Sequence, residues 1–349
     1  MSIHMGGAAA LFLGVVLPAT FAQTRGSRDW VKHPAVMQLD TQADIFAIGD
    51  VHGDCDRLVE LLTGARIVQP NAPGGNVHWI ADKATLVFTG DLIDKGPNAP
   101  AVIALVRSLS DQAERAGGRV IALMGNHEND FLRDPDSDKV RDFAGQIRAD
   151  GLNPRTIAAC GGDVGAFLCA MPFAARVGDW FFSHAGNTGG RTIGRLTRDL
   201  QTGVDRDGFG TPQLTDGNSL LAARLGAQGP GGKSWFETGG ATQGADQILA
   251  ANAAALGVAH IVQGHQHAEV RFPDGKVRKA GEMFQWHGRL FLIDTGMSRE
   301  IDDSMGAVLH IRTGPTGEAA AICPDGRRTK LWDATQMPGA AAGVRCGAL

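Results

Sequence analysis

Short apolar runs closed by glycine recur along this chain, and most are followed at once by a stretch of helical periodicity. The first is Asp44-Ile-Phe-Ala-Ile-Gly49. An apolar run this short, ended by a turn residue, reads as a buried strand. Asp54 or Asp56 can cap the helix that follows, where Leu58, Leu61 and Leu62 keep the apolar spacing until Gly64. Ala84 to Thr89 repeats the strand pattern, Ala101 to Leu109 the helical one, and Arg119 to Met124 gives a third strand. Strand, loop and helix alternating in this way predict βαβ units. Trp180-Phe181-Phe182 and His260-Ile261-Val262 read as further strands, the second preceded by an alanine-rich helix from Ala245 to Leu256 that stops at Gly257. Leu290 to Asp294 and Ala307 to Ile311 are two more.

Three regions depart from this rhythm. Residues 187 to 240 are rich in glycine and polar side chains, with weak helical patches around Ile193 to Leu200 and Leu220 to Leu225. They read as a lid inserted into a domain spanning 40–325, and such a lid would govern substrate choice. Beyond Asp325 the pattern fades, so the tail 326–349, with its Pro, Gly and Ala between Met337 and Gly343, is expected to be mobile. At the other end, residues 1 to 22 hold no Asp, Glu, Lys or Arg, and an apolar stretch from Ala8 to Val16 leads to Thr20-Phe21-Ala22. This predicts a signal peptide cleaved after Ala22 and a periplasmic or secreted protein. The stretch is shorter than the ~20 residues a membrane span needs.

Composition narrows the function more than the fold. With 349 residues, 43% hydrophobic and 20% charged, the chain can bury a large core, and disorder is disfavoured. The formal charge of −4, without any run of Lys or Arg, argues against binding to a nucleic-acid duplex. Of the five cysteines, Cys160 with Cys169 and Cys323 with Cys346 could close local loops in an exported protein, leaving Cys55 over. Small buried hydrophobes are the competing reading.

The strand ends carry the chemistry. Five of them run into Gly49-Asp50-Val51-His52-Gly53, Gly90-Asp91-Leu92-Ile93-Asp94-Lys95-Gly96, Gly125-Asn126-His127-Glu128, Ser183-His184-Ala185-Gly186 and Gly264-His265-Gln266-His267. Any one alone reads as a turn or a hydrogen-bonded core histidine. Together they offer carboxylate, amide and imidazole donors that suit a pair of catalytic divalent ions. His33, His78, His260, His287 and His310 gain nothing from this pattern and default to surface or satisfied core.

The five motifs, in this order, resemble those of the calcineurin-like metallophosphoesterases, and more narrowly the serine/threonine phosphoprotein phosphatase group with its bacterial Shewanella-like branch. The resemblance covers roughly residues 44 to 311. It implies an α/β fold, a four-layer αββα double β-sheet sandwich. It also implies two divalent ions, with Mn, Fe, Zn or Co all compatible. Asp50, His52 and Asp91 would hold the first ion, with His267 as a possible addition. Asp91, Asn126, His184 and His265 would hold the second. A hydroxide shared by the ions would attack phosphorus directly, with His127 as general acid paired to Asp94.

The phosphate grip departs from the family. Asp94-Lys95-Gly96 stands where the group has Asp-Arg-Gly, so Lys95 keeps the charge without the planar fork. The second arginine of the group is matched to Arg224, after Ser219-Leu220-Leu221-Ala222-Ala223; Trp235-Phe236-Glu237 is the other imperfect match, its aromatic pair more in keeping with lid packing. There is no tyrosine anywhere. The expected substrate is therefore a phosphate monoester, either a phosphoserine or phosphothreonine protein or a small ester. Hydrolysis of a nucleotide or dinucleoside polyphosphate, and an inactive binding module with the same fold, are the alternatives.

Overall fold

The computed structural model describes residues 28–70, 77–225, 244–335 and 339–347. The expected signal peptide, Trp235-Phe236 and the distal part of the lid lie outside the described residues. Two sheets form the centre. One has six strands, in the order Arg328–Asp333, Glu318–Ile322, Val308–Arg312, Ile45–Ile48, Thr85–Phe88, Arg119–Ala122. The other has seven, in the order Val36–Leu39, Ala174–Val177, Trp180–Ser183, His260–Gln263, Leu290–Leu292, Met283–Trp286, Ala341–Val344.

Side-chain alternation explains why the two sheets stack. Ile45 and Ala47 enter one apolar cluster with Val87, Ile121, Phe182, Val262 and Phe291 from both sheets. Their neighbours Phe46 and Ile48 face the other way, into a cluster shared with helix residues such as Leu58, Leu61 and Val102. A strand buried on both faces has to read as a continuous apolar run, which is what these segments are. The predicted strands and the helices between them form as expected, with different ends. The helix at Ala101 runs over Ala99–Ala116, capped by the Asn98 side chain and closed by left-handed Gly117.

Three strands of the six-stranded sheet, Ile45–Ile48, Thr85–Phe88 and Arg119–Ala122, are parallel to one another. Trp180–Ser183 and His260–Gln263 are parallel in the other. All five motifs therefore leave their strands at one edge of the sandwich, as ligand-bearing loops do in open α/β sheets.

Two expectations fail. Leu220 to Leu225 forms turns, not a helix, because Ser219 Oγ accepts the amides of Leu221 and Ala222 and so competes with helical hydrogen bonding. Ile193–Asp207 is instead one long helix capped by Thr192. The tail expected to be mobile supplies an edge strand to each sheet, Arg328–Asp333 and Ala341–Val344. Periodicity missed them because edge strands are only half buried. Disulfides join Cys160 to Cys169 and Cys323 to Cys346, while Cys55 is free. No helix among the described residues is long and apolar enough to cross a membrane.

Candidate metal centre

At the shared edge, the loops are locked to one another by their backbones before any side chain acts. His52 N–H donates to Asp91 O at 2.9 Å and Gly53 N–H to Leu92 O at 2.9 Å. A Cβ on Gly264 would run into Asp50 Oδ1, and one on Gly96 into His52 O, so glycine at these positions permits the close approach. The residues expected to act are held in costly conformations. His52, Asp91, Asp94, Lys95 and His265 all have positive φ, between 44° and 68°. Non-glycine residues persist there only when the surroundings over-determine them, and such strain clusters at functional sites.

Two donor groups share Asp91. One consists of His52, Asp91 and His127, the other of Asp91, His184 and His265. In three of these histidines the far ring nitrogen is anchored to a main-chain carbonyl: His52 Nδ1 on Ile93 O at 3.2 Å, His184 Nδ1 on Thr89 O at 2.9 Å, and His265 Nε2 on Ala222 O at 3.3 Å. Such a bond fixes tautomer and ring orientation and leaves the near nitrogen as the donor atom. Those near nitrogens converge. His184 Nε2 lies 3.0 Å from His265 Nδ1, 3.0 Å from Asn126 Oδ1 and 3.4 Å from Asp91 Oδ2.

This set of facing acceptors fits a cation. Burial opposes charge on His184, but the carboxylates of Asp91 and Asp50 prevail and push its pKa to about 9. Burial holds His52 neutral, with a pKa of about 3, and drives His265 well below the usual range, helped by the charge of His184. Neutral imidazole is the ligating form. Asp91, though buried, is held well below the carboxylate range by His184 and His127.

The other expected residues are placed less uniformly. Asp50 is buried and stands outside both groups, each of its oxygens 3.0 Å from the His265 amide. Burial and neighbouring Asp294 push its carboxyl well up. His267 is half-buried and joins neither group. His127 Nδ1 is 2.9 Å from Asp94 Oδ2, while its amide donates to Asp91 Oδ1 at 3.0 Å. Despite burial, the charges of Asp91 and Asp94 raise the His127 pKa. Lys95 is exposed, with Nζ 3.3 Å from His52 Nε2. Arg224 reaches the site differently from a phosphate-binding arginine: its Nη1 donates to His265 O at 3.1 Å.

Sequence reasoning missed Glu128, which is fully buried. Its Oε2 accepts the amides of Asp91 at 2.9 Å and Gly125 at 2.8 Å, and its Oε1 those of Leu92 at 2.7 Å and Ile93 at 3.2 Å. It ties the second motif to the third. The detectable signal was its place at the third position of a helix, where glutamate reaches back to the N-cap amide.

The family model described as calcineurin-like phosphoesterase matches residues 43–269, more than half of the chain and all five motifs. Shewanella-like protein phosphatase 1 of Plasmodium berghei (strain Anka) is 38% identical over 84 residues, 24% of this chain and 22% of that protein. A symmetrical bis(5'-nucleosyl)-tetraphosphatase of Salmonella paratyphi A is 35% identical over 87 residues, 25% of this chain and 24% of that protein. The chain thus spans about a quarter of the length of these curated relatives. The solved structure of a cold-active protein-tyrosine phosphatase from a psychrophile Shewanella sp. has a TM-score of 0.61 at 20% identity, covering 87% of this chain and 85% of that one. At that identity the likeness is one of fold. From the family match, and from a strand order that brings its five motifs to one edge, it follows that the chain belongs to the calcineurin-like phosphoesterase family.

Proposed function

We propose that the protein is a metal-dependent phosphatase that hydrolyses phosphate monoesters, with two divalent ions, manganese being the first choice. The observation that carries this reading is the sharing of Asp91 between two donor groups, three of whose four histidines are anchored on main-chain carbonyls. Asp50, His52 and Asp91, with His267 within the same set of loops, would hold one ion; Asp91, Asn126, His184 and His265 would hold the other. Bound there, the ions would supply Lewis acidity toward phosphoryl oxygens and lower the pKa of bound water.

The chain's own residues provide the proton chemistry. Asp94 accepts the Nδ1 proton of His127, which leaves Nε2 facing the centre, 3.9 Å from Asp91 Oδ2. Asp91 and Asp94 raise its pKa, which favours a proton on Nε2 for the departing oxygen, a contribution of ~10²–10⁴-fold. Lys95, on the exposed rim, suits a phosphate oxygen as a point charge.

The names of the relatives support two substrate classes, phosphoproteins and dinucleoside polyphosphates. The altered Lys95 and the lid leave the choice to experiment. Purified protein reconstituted with Mn²⁺ is expected to cleave an aryl phosphate and to lose this with chelator. A panel of phosphoserine, phosphothreonine and phosphotyrosine peptides and a dinucleoside tetraphosphate then assigns the class. Turnover of none of them by metal-loaded protein would favour a binding module. We also propose export, supported by the leader-like N-terminus and by two disulfides; recovery of the native protein only from cytoplasm would refute it.

A further inference from the structure

Arg278 lies outside every motif, at the end of the short strand Val277–Arg278, yet its side chain is fully buried beside the metal centre. Among the described residues, its guanidinium is bonded to carbonyl oxygens. Nη1 donates to Gln266 O at 2.8 Å and to Ala268 O at 2.7 Å, Nε to Glu282 O at 2.8 Å, and Nη2 to Asp294 O. Burial pulls its pKa down from the ordinary range, and the carboxylates of Asp294, Glu282 and Asp50 oppose that. Isolating a charge in this way is costly, so the bonds it makes must specify something.

What they specify is the loop that carries His265 and His267. Four consecutive carbonyls of that loop are held: His265 O by Arg224, Gln266 O by Arg278, His267 O by the Gly281 amide at 3.0 Å, and Ala268 O by Arg278 again. Gln266 also extends the grip, since its Oε1 accepts the Leu225 amide at 2.8 Å at the base of the lid. His265 sits at φ +66°, a conformation that reverts unless its neighbours are fixed. Asp294 O, the fourth acceptor, belongs to the segment that follows strand Leu290–Leu292, so one planar fork joins the histidine loop to the adjoining strand end.

We propose that Arg278 is a positioning residue that sets the place of the His265 imidazole, and with it the affinity of the second ion site. The inference rests on the metal reading above. Lysine at 278 would keep the charge, but its single nitrogen cannot span carbonyls that a guanidinium reaches from three.

The test is Mn²⁺ binding to the purified, ion-stripped protein, measured by competition with a chromogenic chelator and paired with urea unfolding. Arg278→Lys is expected to fold and to bind the second equivalent of Mn²⁺ roughly 10–100-fold more weakly, the range typical of losing a group that orients a ligand. A variant that unfolds more easily but binds both equivalents as the wild type does would reduce Arg278 to a structural role and overturn the proposal. Should the lysine variant not fold, Arg278→Ala refolded with guanidinium ion decides. Recovery of fold and affinity together supports the proposal; recovery of the fold without affinity, or of neither, counts against it. Wild-type protein that takes up no Mn²⁺ would remove the metal reading and this inference with it, and is thereby distinguished from a failure confined to Arg278.

Discussion

Glu128→Gln changes one atom and should unfasten the second motif from the third. The carboxylate takes two backbone N–H groups on each oxygen, those of Asp91 and Gly125 on one and those of Leu92 and Ile93 on the other. All four donors point inward at a side chain with no exposure to solvent. Burial and the Asp91 charge push the Glu128 pKa up, and the amides pull it back. A proton on either oxygen would set an O–H donor against two N–H donors, so the geometry requires the ionised form. Glutamine keeps one acceptor and sets an NH₂ against the remaining pair. Each lost hydrogen bond to a buried charged group is worth roughly 1.5–3 kcal/mol, so the variant should lose about 3–6 kcal/mol. That is a large part of the ~5–15 kcal/mol by which folded domains are stable. The assay is urea unfolding of the ion-stripped protein at neutral pH, followed by tryptophan fluorescence and read as a lower midpoint at unchanged slope. A loss below about 1 kcal/mol would show that the carboxyl is already neutral in the wild type, because glutamine would then be a near match for it, and the reasoning would fail.

Four other outcomes are expected. His127→Ala should lower kcat by ~10²–10⁴-fold while the Mn²⁺ content stays at the wild-type level; a missing equivalent of metal would make His127 a ligand, which its place in the first donor group also permits. Asp94→Asn should leave the fold intact and lower the pKa of His127, because it removes one of the charges that raise it; an unmoved His127 titration by NMR would contradict the pairing. His260, stacked on Trp180 with ring centroids 3.9 Å apart, is held neutral by burial, its pKa lowered from 6.5 to about 4. Its folded pKa lies below the unfolded one, so its contribution is complete above pH 6.5 and is lost as pH falls toward 4. The wild type should therefore lose on the order of 3 kcal/mol more than His260→Gln across that interval, and parallel stability curves for the two would refute this. Cys346→Ser should cost about 3 kcal/mol, since the Cys323–Cys346 bridge closes a loop of sequence separation 23; equal unfolding midpoints for variant and parent would show that the C-terminal strand is held without it.

The apolar runs ending in glycine determined much of the fold on their own. Strands such as Ile45–Ile48 and Thr85–Phe88 are buried on both faces, and that leaves an unbroken hydrophobic signature. Residue type and order also picked out Asp91, Asn126, His184 and His265, whose side chains the fold brings together, because a candidate ligand must be one of few side chains and must follow a strand. Residues that act through backbone groups escaped notice. Glu128 and Arg278 bind amides and carbonyls, which every residue possesses, so no sequence pattern marks their partners. The edge strands Arg328–Asp333 and Ala341–Val344 escaped for the opposite reason: their places are set by hydrogen bonding to a sheet already formed, with half-buried side chains and little periodicity. Only the tertiary structure decided that Asp50 turns to the His265 amide, that Arg224 grips a carbonyl of the histidine loop, and which nitrogen of each imidazole faces the centre. Those orientations depend on carbonyls brought close from distant parts of the chain. A linear sequence names the ligand atoms available, while folding chooses which of them point inward.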